Sequence, residues 1–151
     1  MPLIFYRIIA TFFFVGFAPK MPGTAGTIAA LPLYCILRRL SLPRYLFSIT
    51  MLSALGTVAS DKMEDDWGKD PSQVVIDEVV GLLITLVTRP KTWPLILLGT
   101  VVFRLFDIIK PFPVGYVDKN VPGGVGIMAD DMVAGALSAC IVALAGKKMV
   151  S

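Results

Sequence analysis

Asp77 and Glu78 stand side by side in Val74–Gly81, a stretch that is otherwise apolar. Ionised carboxylates are costly to bury unless something offsets their charge. Two readings are open: both acids lie on the solvated end of a helix, or they hold a hard cation, which needs carboxylate oxygens in a dry cleft. Arg104, Asp107 and Lys110 follow at i,i+3 spacing, which puts them on one helical face. They read either as an internal ion pair with Asp131 or as a functional charge cluster in an apolar setting. Asp130 and Asp131 come after Gly123-Gly124-Val125-Gly126. Two acids there either cap a helix and complement its dipole, or use a glycine-rich approach to reach a phosphate or a metal. Pro22-Gly23-Thr24-Ala25-Gly26-Thr27 opens a helix whose free N–H groups could bind an anion, or is a plain capped turn. No Gly-Lys-Ser/Thr closes it, so it is not a Walker loop.

Carboxylates, a few cations and glycine-lined helix starts form an inventory for phosphoryl chemistry. Carboxylates hold Mg²⁺, and Lys and Arg neutralise the remaining phosphate charge. The chain has no histidine. That excludes Ser-His-Asp and Cys-His catalysis and any phosphohistidine route. Cys35 and Cys140 lie in apolar runs and read as small core residues rather than a disulfide or a metal pair. No Asp-Gly occurs, which argues against a phosphotransferase that joins an alcohol to a nucleotide-activated lipid. No Asp-x-Asp-x-Thr marks an aspartyl-phosphate nucleophile. The net charge of +3 is too small, and its cations too scattered, for a nucleic-acid partner.

The elements must bring these groups together. The 151 residues suggest one domain spanning 1–151. Apolar residues make up 56% and charged ones 17%, against about 45–50% and 25% in soluble domains. Mean hydropathy is +0.77. The expected fold is all-α: a bundle of about six short helices, several of them embedded in a membrane. Pro2–Ala18 reads as a retained first helix, since no small-residue cleavage site follows it. Thr24–Leu37 and Tyr45–Ser60 are the next two. Asp61–Asp70 is an acidic stretch expected to be a solvated helix end. Val79–Val87 is short and apolar. Pro90 and Pro94 predict a hairpin before Leu95–Ile109. Val114–Gly126 reads as a Gly/Pro-rich loop, with Ala129-Asp130-Asp131 opening the last helix.

Folding these segments up and down collects all eleven acids at one end. Arg38, Arg39, Arg44, Arg89, Lys91, Lys147 and Lys148 fall at the other end, with no acid. Cations divide almost evenly between the ends, so the positive-inside rule gives no orientation. A non-enzymatic alternative is a small ion-transport component whose carboxylates line a path. Clustering at one end, rather than mid-membrane, speaks against it.

Pro22–Thr27, Asp70-Pro71 with Val74–Gly81, Phe103–Pro111, and Gly124–Asp131 with Ala134-Gly135 together resemble the phosphatidylglycerophosphatase A family. The motifs occur in order and span nearly the whole chain. Thr27 stands where the family often has Ser, which keeps the hydroxyl. The resemblance implies Mg²⁺-dependent removal of the terminal phosphate of phosphatidylglycerophosphate, giving phosphatidylglycerol. It also implies a helical protein of the bacterial inner membrane acting at the cytoplasmic face on a phospholipid. On that footing Asp77, Glu78, Asp107, Asp130 and Asp131 are the expected metal ligands, with Asp77, Glu78, Asp107 and Asp131 catalytic. Lys20, Thr24, Thr27, Arg104 and Lys110 are the expected phosphate contacts. A related phosphatase acting on a different phosphomonoester is the alternative.

Overall fold

The computed structural model describes residues 2–150. It is all-helical, with no strand among the described residues. The helices are α1 (Leu3–Ala10), α2 (Pro22–Leu37), α3 (Leu42–Trp67), α4 (Ile76–Thr85), α5 (Trp93–Ile109), α6 (Val114–Asn120) and α7 (Gly123–Val150). Proline opens three of them within the first two positions: Pro22 in α2, Pro43 in α3 and Pro94 in α5. A first-turn proline lacks only an N–H that has no intrahelical partner anyway. The hairpin expected around Pro90 lies between α4 and α5.

The centre of the molecule is α4. It has 10 residues, and Ile76, Val79, Val80, Gly81, Leu82, Leu83 and Thr85 are buried. It packs on α7, α2, α3 and α5, while α7 also packs on α3, α5 and α6. The α4–α7 contact depends on two glycines. A Cβ on Gly135 would lie 2.4 Å from the Gly81 carbonyl oxygen, and one on Gly81 would lie 2.9 Å from the Asp131 carbonyl oxygen. Bare backbone at both positions lets the two helices approach closely. Tyr45 reinforces the centre by donating its hydroxyl to the Leu83 carbonyl at 2.7 Å.

The sequence-based expectation differs from this fold in four places. Among the described residues there are seven α-helices rather than about six, and α3 and α7 are long, at 26 and 28 residues. The first helix ends at Ala10, not Ala18. Thr11 turns the chain there: its hydroxyl donates to the Arg7 carbonyl at 2.7 Å and accepts the Phe14 N–H at 3.0 Å. The acidic stretch after Ser60 is the largely exposed helix end expected, but it belongs to α3, which runs on to Trp67, with Asp66 paired to Arg7 at 2.8 Å. Finally, Val114–Gly126 is not a loop. It forms α6 and the first turn of α7: Gly123 turns the chain at φ +71°, and Gly124 serves close packing against α3. A Cβ on Gly124 would lie 2.2 Å from the Thr57 carbonyl oxygen.

Among the described residues, Gly123–Met149 alone is long and apolar enough to cross a membrane. Large apolar side chains also face outward on other helices. On α3 these are Leu42, Leu46, Phe47, Met51, Leu55 and Val58, and on α5 they include Leu97, Val101 and Leu105.

Candidate active site

Four chain segments meet at one end of the bundle around a cleft of about 950 Å³. The first turn of α4 supplies Asp77 and Glu78. The last turns of α5 supply Arg104 and Asp107, and Lys110 follows at its left-handed C-cap. Asp130 and Asp131 lie two turns into α7, which starts at Gly123. This corrects the expectation that they open the helix, and it removes helix capping as their role. The start of α2 adds Met21, Pro22, Gly23 and Thr24 to the wall.

The carboxylates converge on two adjoining groups. Asp77, Glu78 and Asp131 each offer an oxygen within 4.8 Å of the others, and so do Asp107, Asp130 and Asp131. Asp131 belongs to both. It is 2% exposed and Asp130 5%. Asp77 Oδ1, Glu78 Oε2 and Asp131 Oδ2 are buried without a hydrogen-bond partner. Such orphaned acceptors are rare and costly in folded proteins. Burial pushes the Asp77 carboxyl well above the usual range, and the adjacent Glu78 adds to this. Burial likewise raises Glu78. A group of all-oxygen, anionic donors with unused lone pairs fits a hard divalent cation such as Mg²⁺.

Two cations border the carboxylates. Arg104 pairs with Asp107 and reaches Glu78 Oε1 at 3.6 Å. Its Nε stays buried and unpartnered. Lys110 pairs with Asp130 and, at 2.9 Å, with Asp118. Burial alone would lower the Lys110 pKa, but the Asp130 and Asp118 carboxylates outweigh it and hold the pKa above that of an ordinary lysine. Gly23 is fitted against this pair of elements: a Cβ there would sit 2.2 Å from Glu78 Oε1 and 3.1 Å from Arg104 Nη2.

The phosphatidylglycerophosphatase A family model matches residues 8–146. The chain belongs to the phosphatidylglycerophosphatase A family. It is 36% identical over 143 residues to the Escherichia coli phosphatidylglycerophosphatase A, covering 93% of this chain and 83% of that one. It is 38% identical over 142 residues to the Haemophilus influenzae phosphatidylglycerophosphatase A, covering 92% and 86%. A Bacteroides thetaiotaomicron protein, named provisionally as a phosphatidylinositol-3-phosphatase, is 38% identical over 146 residues, covering 91% of each chain. No solved structure matches significantly.

Within this family member, the structure gathers most of the residues singled out from sequence. Asp77, Glu78, Thr24, Arg104, Asp107, Lys110, Asp130 and Asp131 all line the cleft. Two do not. Thr27 is fully buried, and its hydroxyl donates to the Gly23 carbonyl at 2.9 Å within α2, outside the cleft lining. Lys20 is exposed and lies outside the cleft lining. Sequence reasoning missed Asp118, which holds Lys110, and Asp61, whose Oδ1 accepts the Gly124 N–H at 3.1 Å. Asp61 pins the start of α7 to α3. The signal for Asp118 was hidden because its segment read as loop. That for Asp61 was hidden because its stretch read as solvated.

Proposed function

We propose that this protein is a Mg²⁺-dependent phosphatidylglycerophosphatase, a single membrane-embedded domain that releases phosphate from phosphatidylglycerophosphate and leaves phosphatidylglycerol. The observation that carries this reading is the pair of carboxylate groups sharing the buried Asp131, set beside Arg104 and Lys110 in one cleft. Membership of a family whose curated relatives are named for this lipid phosphatase supports the substrate.

Asp77, Glu78 and Asp131 would hold one cation, and Asp107, Asp130 and Asp131 would hold a second if two are bound. A divalent cation held there supplies Lewis-acid charge stabilisation and lowers the pKa of a water. Arg104 and Lys110 bind the non-bridging phosphate oxygens and offset charge that builds on them. Glu78 and Asp107 fix the Arg104 guanidinium, and Asp118 and Asp130 fix the Lys110 ammonium, so neither has to be ordered as the substrate arrives. The Thr24 hydroxyl at the start of α2 is placed on the same wall as a further donor. The water loses one proton as its oxygen bonds to phosphorus, the phosphorus–glyceryl oxygen bond breaks, and that oxygen takes up one proton, so that one water is consumed for each phosphate and alcohol released.

The outward apolar side chains of α3, α5 and α7 support the embedding of several helices, in the bacterial inner membrane with the cleft facing the cytoplasm. The facing is tested with a Lys119→Cys variant in a Cys35→Ala/Cys140→Ala background, since both native cysteines are free and Cys140 is exposed; it should react with a membrane-impermeant thiol reagent in inverted vesicles and not in intact cells.

The decisive assay measures phosphate release from phosphatidylglycerophosphate, phosphatidylinositol-3-phosphate and a soluble phosphomonoester, with Mg²⁺ and with chelator. Preference for the first, abolished by chelator and restored by Mg²⁺, is expected. The Bacteroides relative's name makes phosphatidylinositol-3-phosphate the second reading, and preference for it would replace the first. No Mg²⁺-dependent release from any of the three would end the phosphatase reading.

A further inference from the structure

A second polar cavity, of about 600 Å³, opens at the other end of the bundle, lined by Arg38, Arg39, Leu40, Thr88, Arg89 and Lys91. Four of the six lining residues are cationic and none is acidic. Among the described residues no carboxylate forms an ion pair with any of them. The cavity is remote from the acidic cleft. The cleft lies at the start of α2, and Arg38 and Arg39 follow its end, so 16 residues put about 24 Å of helix between them.

Cations that follow a helix are ordinarily explained by its dipole, which favours positive charge at the C-terminus. That accounts for Arg38 and Arg39 after α2 and for Arg89 after α4. It does not account for Lys91, which leads into the start of α5, or for Arg44, which stands in the first turn of α3. Positive charge is unfavourable at a helix N-terminus, and neither first turn carries an acid to offset it. The charge is therefore concentrated against local preference, and a local preference broken without internal compensation marks a functional place.

Two of the arginines are also held in position. Arg89 adopts a left-handed backbone, φ 56°, which a non-glycine residue takes up only when its surroundings enforce it. Its Nη1 donates to the Leu40 carbonyl at 2.7 Å. The Arg38 guanidinium lies 5.9 Å from the Tyr34 ring centroid, and the Tyr34 hydroxyl donates to the Pro90 carbonyl at 2.6 Å. The turn after α2 and the turn after α4 are thus tied together beneath the cavity, and the arginine forks are set before any ligand arrives. Guanidinium forks match phosphate oxygens bidentately. Thr88, exposed at the rim, adds a hydroxyl donor.

We propose that this cavity is a second anion site that binds a phosphate group, from a phospholipid headgroup or as free phosphate, separately from the acidic cleft. It does not depend on the phosphatase reading.

The chain has two tryptophans. Trp93 is exposed two residues beyond Lys91, and Trp67 closes α3 at the acidic end. A Trp67→Phe background leaves Trp93 fluorescence as a local reporter. The protein is titrated in neutral detergent with inorganic phosphate, and in phosphatidylcholine nanodiscs with increasing phosphatidylglycerol. A saturable Trp93 response is expected, with its midpoint raised roughly tenfold or more in an Arg39→Gln/Lys91→Gln double variant, the loss of two charge-assisted contacts. Both substituted side chains are exposed, so an unchanged melting temperature should accompany the loss. A response to the lipid alone assigns the site to headgroups, and a response to both assigns it to phosphate in general. An unchanged midpoint in the double variant, or no saturable response to either titrant, overturns the proposal.

Discussion

Asp131 is the carboxylate on which both oxygen groups depend, and it is almost wholly buried. Asp131→Asn should lower phosphate release by at least about 10²-fold, the scale of losing one electrostatic stabiliser of a transition state. Without cations the same variant should melt higher than the parent, because an unpaired buried charge has been removed. Activity and melting moving together, both down, would mean that Asp131 is merely structural. Burial also sets the pH response. The folded, cation-free protein keeps Asp77 protonated to a higher pH than the unfolded chain does. The native state therefore binds more protons between the two pKa values, and stability falls as pH rises through that window. Melting under chelator should decline from the ordinary carboxylate range upward, and Mg²⁺ should reverse the decline. Thr27 provides the contrast. Its hydroxyl serves Gly23, so Thr27→Ala should cost about 1 kcal/mol of stability and leave KM for the phosphomonoester unchanged, whereas Thr24→Ala should raise KM. A raised KM in Thr27→Ala would return Thr27 to the phosphate site.

At the scale of elements, the site is only as good as the α4–α7 approach. Gly135→Ala places a methyl group where the Gly81 carbonyl oxygen lies 2.4 Å away, and helix backbone cannot yield as a side chain would. The helices must separate, carrying Asp131 away from Asp77 and Glu78. A stability loss of about 1–3 kcal/mol is expected, with phosphatase activity falling by a larger factor than melting alone explains. Normal activity in a well-folded Gly135→Ala protein would show that the two carboxylate groups tolerate displacement. These contacts also show what was legible beforehand. Proline punctuation and apolar runs placed α2, α4 and α5 well, and the Pro90 hairpin put Asp107 on the same end as Asp77. Gly124 was misread, since a glycine that turns the chain, as Gly123 does at φ +71°, and a glycine that lets two backbones touch are alike in a sequence. The distinction lies in Thr57, far away along the chain, whose carbonyl Gly124 meets. Thr11 was missed for a related reason, because one hydroxyl bonding to nearby backbone ended an apolar helix that composition alone would continue.

At the scale of the whole molecule, the separation of charge was legible because it needs only the direction of each helix. Glu64, Asp70, Asp77, Glu78, Asp107, Asp118, Asp130 and Asp131 line one cleft, while the cavity at the far end is lined by arginines and a lysine. Between the two poles the outside of the bundle is apolar. Phe47, Met51, Leu55 and Val58 recur at intervals that hold them on one outward face of α3, with Leu42 and Leu46 exposed at its start, and soluble monomers rarely expose contiguous apolar patches of this kind. If that face meets acyl chains, polar groups placed on it would be stranded in hydrocarbon, at several kcal/mol for each group left unsatisfied. Phe47→Gln, Met51→Gln and Leu55→Gln combined should therefore shift the protein from the carbonate-resistant membrane fraction into the soluble or aggregated fraction. In detergent its helicity and its Mg²⁺-dependent phosphate release should survive, since none of the three side chains lines the cleft. Undiminished membrane retention would place the membrane contact elsewhere, on α5 and α7. Loss of helicity in detergent would instead make the stripe part of the fold's own packing, contrary to its exposure.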